Sequence, residues 1–210
     1  GLWSVLRSSE DEVLKGSLLI TLYENLRWKT ISPQGFREEM LAYLPNESNS
    51  LLFSMALSYL GDCQRIFPSD SRPLEQVLWK IVTTNPVSQH RLQAFRLYRS
   101  IADSEEAVQR LYTLWQERKA PKDCTLSESD YIGLSYMLAM HLPEKADKII
   151  ATQLSRIQNP DRKKEYQFIS PSVSPRKAER DSVFASLLIA GNRRVEPWAS
   201  SALANLNHRL

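Results

Sequence analysis

Three histidines and two cysteines are the side chains best suited to hold a metal or move a proton: His90, His141, His208, Cys63 and Cys124. Catalytic zinc needs ligands held close together, often two histidines one helical turn apart in H-E-x-x-H. None of these histidines begins such a motif, and none has a second histidine at helical spacing. Cys63 and Cys124 are too far apart in sequence to form a zinc-ligand spacing or a disulfide framework; they read as reduced, partly buried thiols. Glu105-Glu106 are adjacent carboxylates at a helix start, where they complement the macrodipole rather than form an acid–base pair. With six glycines in the chain and no P-loop, G-x-G-x-x-G or G-x-S-x-G, no phosphate-cradling loop or nucleophile elbow is expected. The sequence therefore predicts a domain without a catalytic or metal site of its own.

Arginine and lysine are distributed unevenly. The formal charge is +3 overall. From Arg156 onward there are ten Lys or Arg against five Asp or Glu, and before it 17 against 19. A basic C-terminal quarter suits an anionic partner, or a solvated basic face. A +3 total argues against nucleic acid, which selects strongly basic surfaces. Tyr98, Tyr112, Trp115, Tyr131 and Trp198 fall on apolar stripes and are expected in the core rather than as a base-stacking platform.

The elements that position these side chains are helices throughout. Residues that are 42% hydrophobic and 24% charged fit a soluble globular chain, and no apolar run is long enough to span a membrane. Ser9 to Glu12 has capping-box spacing ahead of Val13, Leu14, Leu18, Leu22 and Leu26. Ser32-Pro33 opens a second helix with the stripe Phe36, Met40, Leu44. A third carries Leu51, Met55, Leu57 and Leu60, with Gly61 as its expected stop. Leu74 to Val82 form the next stripe, and Asn85-Pro86 cap a helix with Leu92, Phe95 and Tyr98. Asp103 and Glu106 again have capping-box spacing, before Val108, Leu111, Tyr112 and Trp115. Ser127 begins a helix through Leu142, and Pro143-Glu144 restart it with Ile149, Ile150, Leu154 and Ile157. Asn159-Pro160 is a turn or helix start; Phe168 to Pro175 should be an ordered loop into a helix lined by Val183, Phe184, Leu187 and Leu188. Gly191-Asn192 end that helix, and a last one carries Val195, Trp198, Leu203 and Leu206. The fold class is all-α. About nine or ten helices joined by short turns suggest antiparallel pairs stacked as a HEAT-like α-α superhelix over residues 1–210, with a compact irregular bundle as the competing arrangement.

The stretch from Arg162 carries a more specific signal. Arg162-Lys163-Lys164-Glu165-Tyr166-Gln167-Phe168-Ile169-Ser170-Pro171-Ser172-Val173-Ser174 resembles a stretch in the C-terminal domain of bacterial aminopeptidase N-like zinc peptidases, of the gluzincin type. Arg180-Asp181, Phe184-Ala185-Ser186-Leu187, Asn192-Arg193-Arg194-Val195-Glu196-Pro197-Trp198 and Leu203-x-x-Leu206-Asn207-His208 continue the match. Trp3 and the run from Leu19 to Trp28 fit the start of the same domain. Only residues 161–208 are specific, and Arg209-Leu210 stands where that family often has Pro-Leu-Arg.

The resemblance implies a parent enzyme whose upstream catalytic domain holds zinc through two His and a Glu. It implies that this helical domain covers the catalytic cleft and limits access to peptides. The expected partners are the upstream catalytic domain and peptide substrates. A chain that starts Gly1-Leu2-Trp3 without Met suits a piece of a longer protein with Gly1 as a tag remnant. A substrate's distal carboxylate would seek arginine, whose planar fork gives bidentate geometry. Arg162, Arg180, Arg193 and Arg194 are the candidates. A free-standing helical-repeat scaffold for another protein, and an RNA-binding basic groove, are the other functions open to this sequence.

Overall fold

A computed structural model describes residues 1–208; the Arg209-Leu210 departure lies outside them. Among the described residues there are twelve α-helices and no strand. They are α1 (Leu2–Ser8), α2 (Glu12–Arg27), α3 (Pro33–Tyr43), α4 (Ser50–Ile66), α5 (Arg72–Thr84), α6 (Ser88–Ile101), α7 (Glu105–Glu117), α8 (Glu128–His141), α9 (Ala146–Arg156), α10 (Pro160–Ile169), α11 (Lys177–Leu187) and α12 (Glu196–Leu206). Short 3₁₀ turns occupy Leu44–Asn46, Pro143–Lys145, Ser170–Val173 and Ala190–Arg193. No described helix is long and apolar enough to cross a membrane.

The helix ends follow local chemistry. The Ser32 hydroxyl accepts from Gly35 N at 3.0 Å with Pro33 in the first turn. Ser127 and Asp130 form a reciprocal capping box at α8, and Asn159 Oδ1 accepts from the Asp161 and Arg162 amides to start α10. At α7 the Ser104 hydroxyl accepts from Ala107 N at 3.2 Å. Two ends differ from expectation. Asp11, not Ser9, caps α2: its Oδ1 takes the Val13 and Leu14 amides, while Ser9 Oγ holds Asp11 N. Gly61 does not stop α4, which runs on to Ile66. A Cβ at Gly61 would sit 2.9 Å from Leu97 Cδ1, so the missing side chain serves the close packing of α4 on α6.

The chain forms two compact units, Gly1–Ala107 with Ala120–Thr125, and Val108–Lys119 with the residues from Leu126 onward. In the first, α1 packs on α2, α2 and α3 on α4, and α6 on both α4 and α5. Its core holds Leu6, Leu19, Leu22, Leu26, Phe36, Met40, Leu44, Phe53, Leu60, Phe95 and Tyr98. Glu47, Glu75 and His90 are among the polar groups buried inside it. Glu47 accepts from Lys15 Nζ at 2.5 Å, from the Tyr43 hydroxyl, and from Asn49 N at 2.7 Å. Glu75 takes the Asp103 and Ser104 amides at 2.8 and 3.1 Å, plus the Ser104 and Ser71 hydroxyls. His90 stacks on Phe53 with ring centroids 4.0 Å apart, and its Nε2 lies 3.0 Å from Ser50 Oγ. Cys63 and Cys124 are buried free thiols, and burial pushes both pKa values up.

These groups give the first unit an acid-labile core. Burial holds the His90 pKa below its ordinary 6.5, with the Glu47 charge opposing. The unfolded chain therefore takes up that proton first, and stability is present above about pH 6.5 and lost as pH falls. For Glu47 burial pushes upward, but Lys15, Tyr43 and the Asn49 amide outweigh it and hold the carboxyl below 4.5. For Glu75 burial is likewise outweighed, by the Ser104 and Ser71 hydroxyls and the Asp103 and Ser104 amides. These carboxylates stabilise above about pH 4.5 and lose that contribution as pH falls through their folded values. The thermal midpoint should therefore fall in two stages on acidification. His90→Gln should remove the stage that begins near pH 6.5 and leave the one below 4.5; an unchanged upper stage would assign it to another group.

In the second unit α8 packs on α9, and α12 on α10 and α11. Trp115 is buried, and its indole N–H donates to Gln153 Oε1 at 2.8 Å. Tyr166, fully buried, stacks on Tyr136 at 5.1 Å, and its hydroxyl lies 3.0 Å from Ser135 Oγ. Tyr98 and Tyr131 are also buried, as the stripes predict, but Tyr112 is half-buried.

Candidate functional site

Residues 161–208 build one packed module of the second unit. Leu187, Ala199 and Ala202 form its centre, with Phe168, Val183 and Leu203 against them. The stretch expected as an ordered loop, Phe168 to Pro175, holds the last residues of α10 and the Ser170–Val173 3₁₀ turn that follows it directly. Ser170, Ser172 and Ser174 are all buried, so their hydroxyls and carbonyls need partners. Ser172 Oγ donates to Ile169 O at 2.7 Å and accepts from Asn205 Nδ2 at 3.1 Å. Ser174 Oγ accepts from Arg176 N. The Ser-Pro-x-hydrophobic-Ser stretch is thus the joint that ties α10 to α12.

The four candidate arginines divide by their partners. Arg162, in the first turn of α10, places NH1 3.2 Å from Glu128 Oε2. The Gln158 amide and this guanidinium hold the Glu128 carboxyl below its usual range. Arg180 NH1 donates to Ser174 O at 2.6 Å and so closes the 3₁₀ joint. Arg193 and Arg194 are exposed at the turn into α12, and neither side chain makes a hydrogen bond or ion pair among the described residues. The structure thus commits two of the four to packing and leaves two facing solvent.

Other cations of the basic quarter are also engaged. Arg156 NH1 donates to Trp115 O at 3.0 Å and its guanidinium lies 4.8 Å from the Trp115 ring centroid. Arg176, which the sequence reading passed over, grips Asp147 through two nitrogens at 2.7 and 2.9 Å and Glu179 at 2.6 and 3.1 Å. It lowers both carboxyls, and they in turn raise its own pKa. Bidentate geometry was the signal sought for a substrate; here an internal carboxylate supplies it. Lys177 pairs with Asp181 at 3.2 Å.

Beside the joint a cleft of about 410 Å³ opens, lined by Phe168, Pro171, Glu179, Ser182, Val183 and Ser186. Trp198 is half-buried, its ring 5.8 Å from Phe168. It was expected as a core anchor. Its helix buries only the small Ala199 and Ala202, which bring α12 close to its neighbours and leave the indole at the edge. Phe184 on α11, and Leu188, Ile189 and Val195 past its end, face outward and are 54, 70, 62 and 43% exposed. His141 and His208 stand with ring centroids 6.4 Å apart. Among the described residues no group of three His, Cys, Asp or Glu side chains could hold a metal ion. No family model, curated protein or solved structure matches the chain.

Proposed function

We propose that this chain is the non-catalytic C-terminal helical domain of a zinc aminopeptidase of the aminopeptidase N-like kind, a superhelix of helix pairs that covers the catalytic cleft and shapes peptide access. The observation that supports it is that the residues carrying the resemblance, 161–208, pack as one module whose only uncommitted candidate cations are Arg193 and Arg194. In this reading the zinc and its ligands belong to the upstream catalytic domain. The domain's own residues bind and orient the far end of a peptide. An exposed arginine pair can meet a carboxylate without first breaking an internal bond, whereas Arg162 and Arg180 would have to leave Glu128 and Ser174. A charge-assisted hydrogen bond of this kind contributes about 1.5–3 kcal/mol, which corresponds to roughly a tenfold or greater effect on binding.

In the parent enzyme, Arg193→Ala/Arg194→Ala should raise KM for peptides with a free C-terminus by about tenfold or more. Turnover of single-residue chromogenic amides, which never reach the distal site, should stay unchanged. Equal loss on both substrate classes, or none on either, sinks the assignment. The second reading, a free-standing scaffold that binds another protein, is favoured by the exposed apolar residues of α11 and the turn after it. A reading frame without H-E-x-x-H upstream of Gly1 would decide for it.

A further inference from the structure

We infer that the exposed face of α11, with the turn that follows it, is a docking surface for an acidic segment of a protein partner that carries large apolar side chains. The inward stripe of α11 is the buried Leu187 and the half-buried Val183, with Arg180 tied to Ser174. About a quarter-turn round the helix, Lys177, Asp181, Phe184 and Leu188 recur at four- and three-residue spacing and are exposed. Ile189 and Val195 extend the apolar part past the helix end. Single exposed apolar residues are ordinary on a protein surface; these four fall within twelve residues, on α11 and in the turn after it, with charged residues beside them.

The charges specify the occupant. Arg176 is saturated by Asp147 and Glu179, and Lys177 by Asp181. The positive charge left for a partner at this turn is that of Arg193 and Arg194, which directly precede Val195. Glu196 beside them opens α12, where it answers the helix dipole. A partner that complements this face therefore offers carboxylates to the two arginines and apolar side chains to Phe184, Leu188 and Ile189. An amphipathic helix with an acidic flank has that arrangement. A lipid surface fits less well: interfacial helices are rich in Lys and Arg on the polar face, and here Asp181 lies on the same stripe as Phe184. Nucleic acid would use the arginines and leave the apolar residues idle. The inference needs no upstream domain. It shares Arg193 and Arg194 with the peptide-access reading, and the two are separated because binding is measured here on the chain alone.

The test uses a fluorescein-labelled synthetic amphipathic peptide of Glu, Leu and Phe, and a counterpart with every Glu replaced by Lys, titrated with the purified chain at moderate salt. The acidic peptide should bind about tenfold tighter or better. Phe184→Ser/Leu188→Ser should weaken it by a similar factor. Arg193→Glu/Arg194→Glu should reverse the preference toward the Lys peptide. All four positions are exposed, and an unchanged circular dichroism melt verifies that each variant is folded. Equal binding of the two peptides, or of neither, overturns the inference. Saturable binding to phosphatidylglycerol vesicles or to duplex RNA without binding of the acidic peptide overturns it too. So does a dimer in light scattering that Phe184→Ser abolishes, because the face would then belong to a second copy.

Discussion

Replacing Glu47 by alanine should destabilise the first unit by about 3–5 kcal/mol. Glu47 is 4% exposed and gathers three donors from different parts of the unit: Lys15 on α2, the Tyr43 hydroxyl at the end of α3, and the Asn49 amide that leads into α4. Burial alone would favour the neutral acid, yet the carboxyl is held ionised because those donors outweigh desolvation. Alanine removes the anion and leaves the Lys15 ammonium, whose side chain is only 16% exposed, without a counter-charge. The cost of an unpaired buried charge exceeds the net worth of the pair. The double variant Lys15→Met/Glu47→Leu should therefore be more stable than Glu47→Ala alone. Urea midpoints at constant slope measure both. A single variant that loses less than about 1 kcal/mol would show the pair behaving as an exposed surface bridge.

The second large effect belongs to Tyr166. Tyr166→Ala should cost the second unit about 3–5 kcal/mol, the usual range for removing a fully buried aromatic ring. The ring is 0% exposed and stacks on Tyr136, which joins α10 to α8. Tyr166→Phe separates packing from polarity. Ser135 Oγ already donates to Ile132 O at 2.7 Å, so deleting the Tyr166 hydroxyl leaves Ser135 with a partner. That variant should lose only about 0.5–1.5 kcal/mol. Comparable losses for Phe and Ala would place the energy in the hydroxyl rather than the ring.

Helices and many of their caps were legible because they depend on residues two to four apart: Ser32 with Gly35, Ser127 with Asp130, Asn159 with Asp161 and Arg162. What was not legible depends on distant partners. Nothing local marks Glu75 as the acceptor for amides 28 and 29 residues away, or Arg162 as the partner of Glu128. Gly61 carries the composition of a stop, but the neighbouring α6 decides its role. Trp198 has the pattern of a core residue, and the small alanines beside it take the interior instead. Among the arginines, charge and sequence likeness named four positions, and only the packing separated Arg162 and Arg180 from Arg193 and Arg194. Arg176 was overlooked because its main carboxylate, Asp147, lies 29 positions back.

That Arg176 grip has a consequence for how the second unit opens. Only one residue of α11, Leu187, is buried. An exposed ion pair from its N-cap Arg176 to Asp147 on α9 ties down its start, and such pairs fade as salt screens them. Segments with few buried apolar contacts open at low free energy, well below global unfolding. The amide hydrogens of α11 should then exchange with deuterium before those of α8 and α10, and earlier still at high ionic strength. The helix behaves as a hinged flap, latched by charge, on a unit whose remaining helices are held by their interiors.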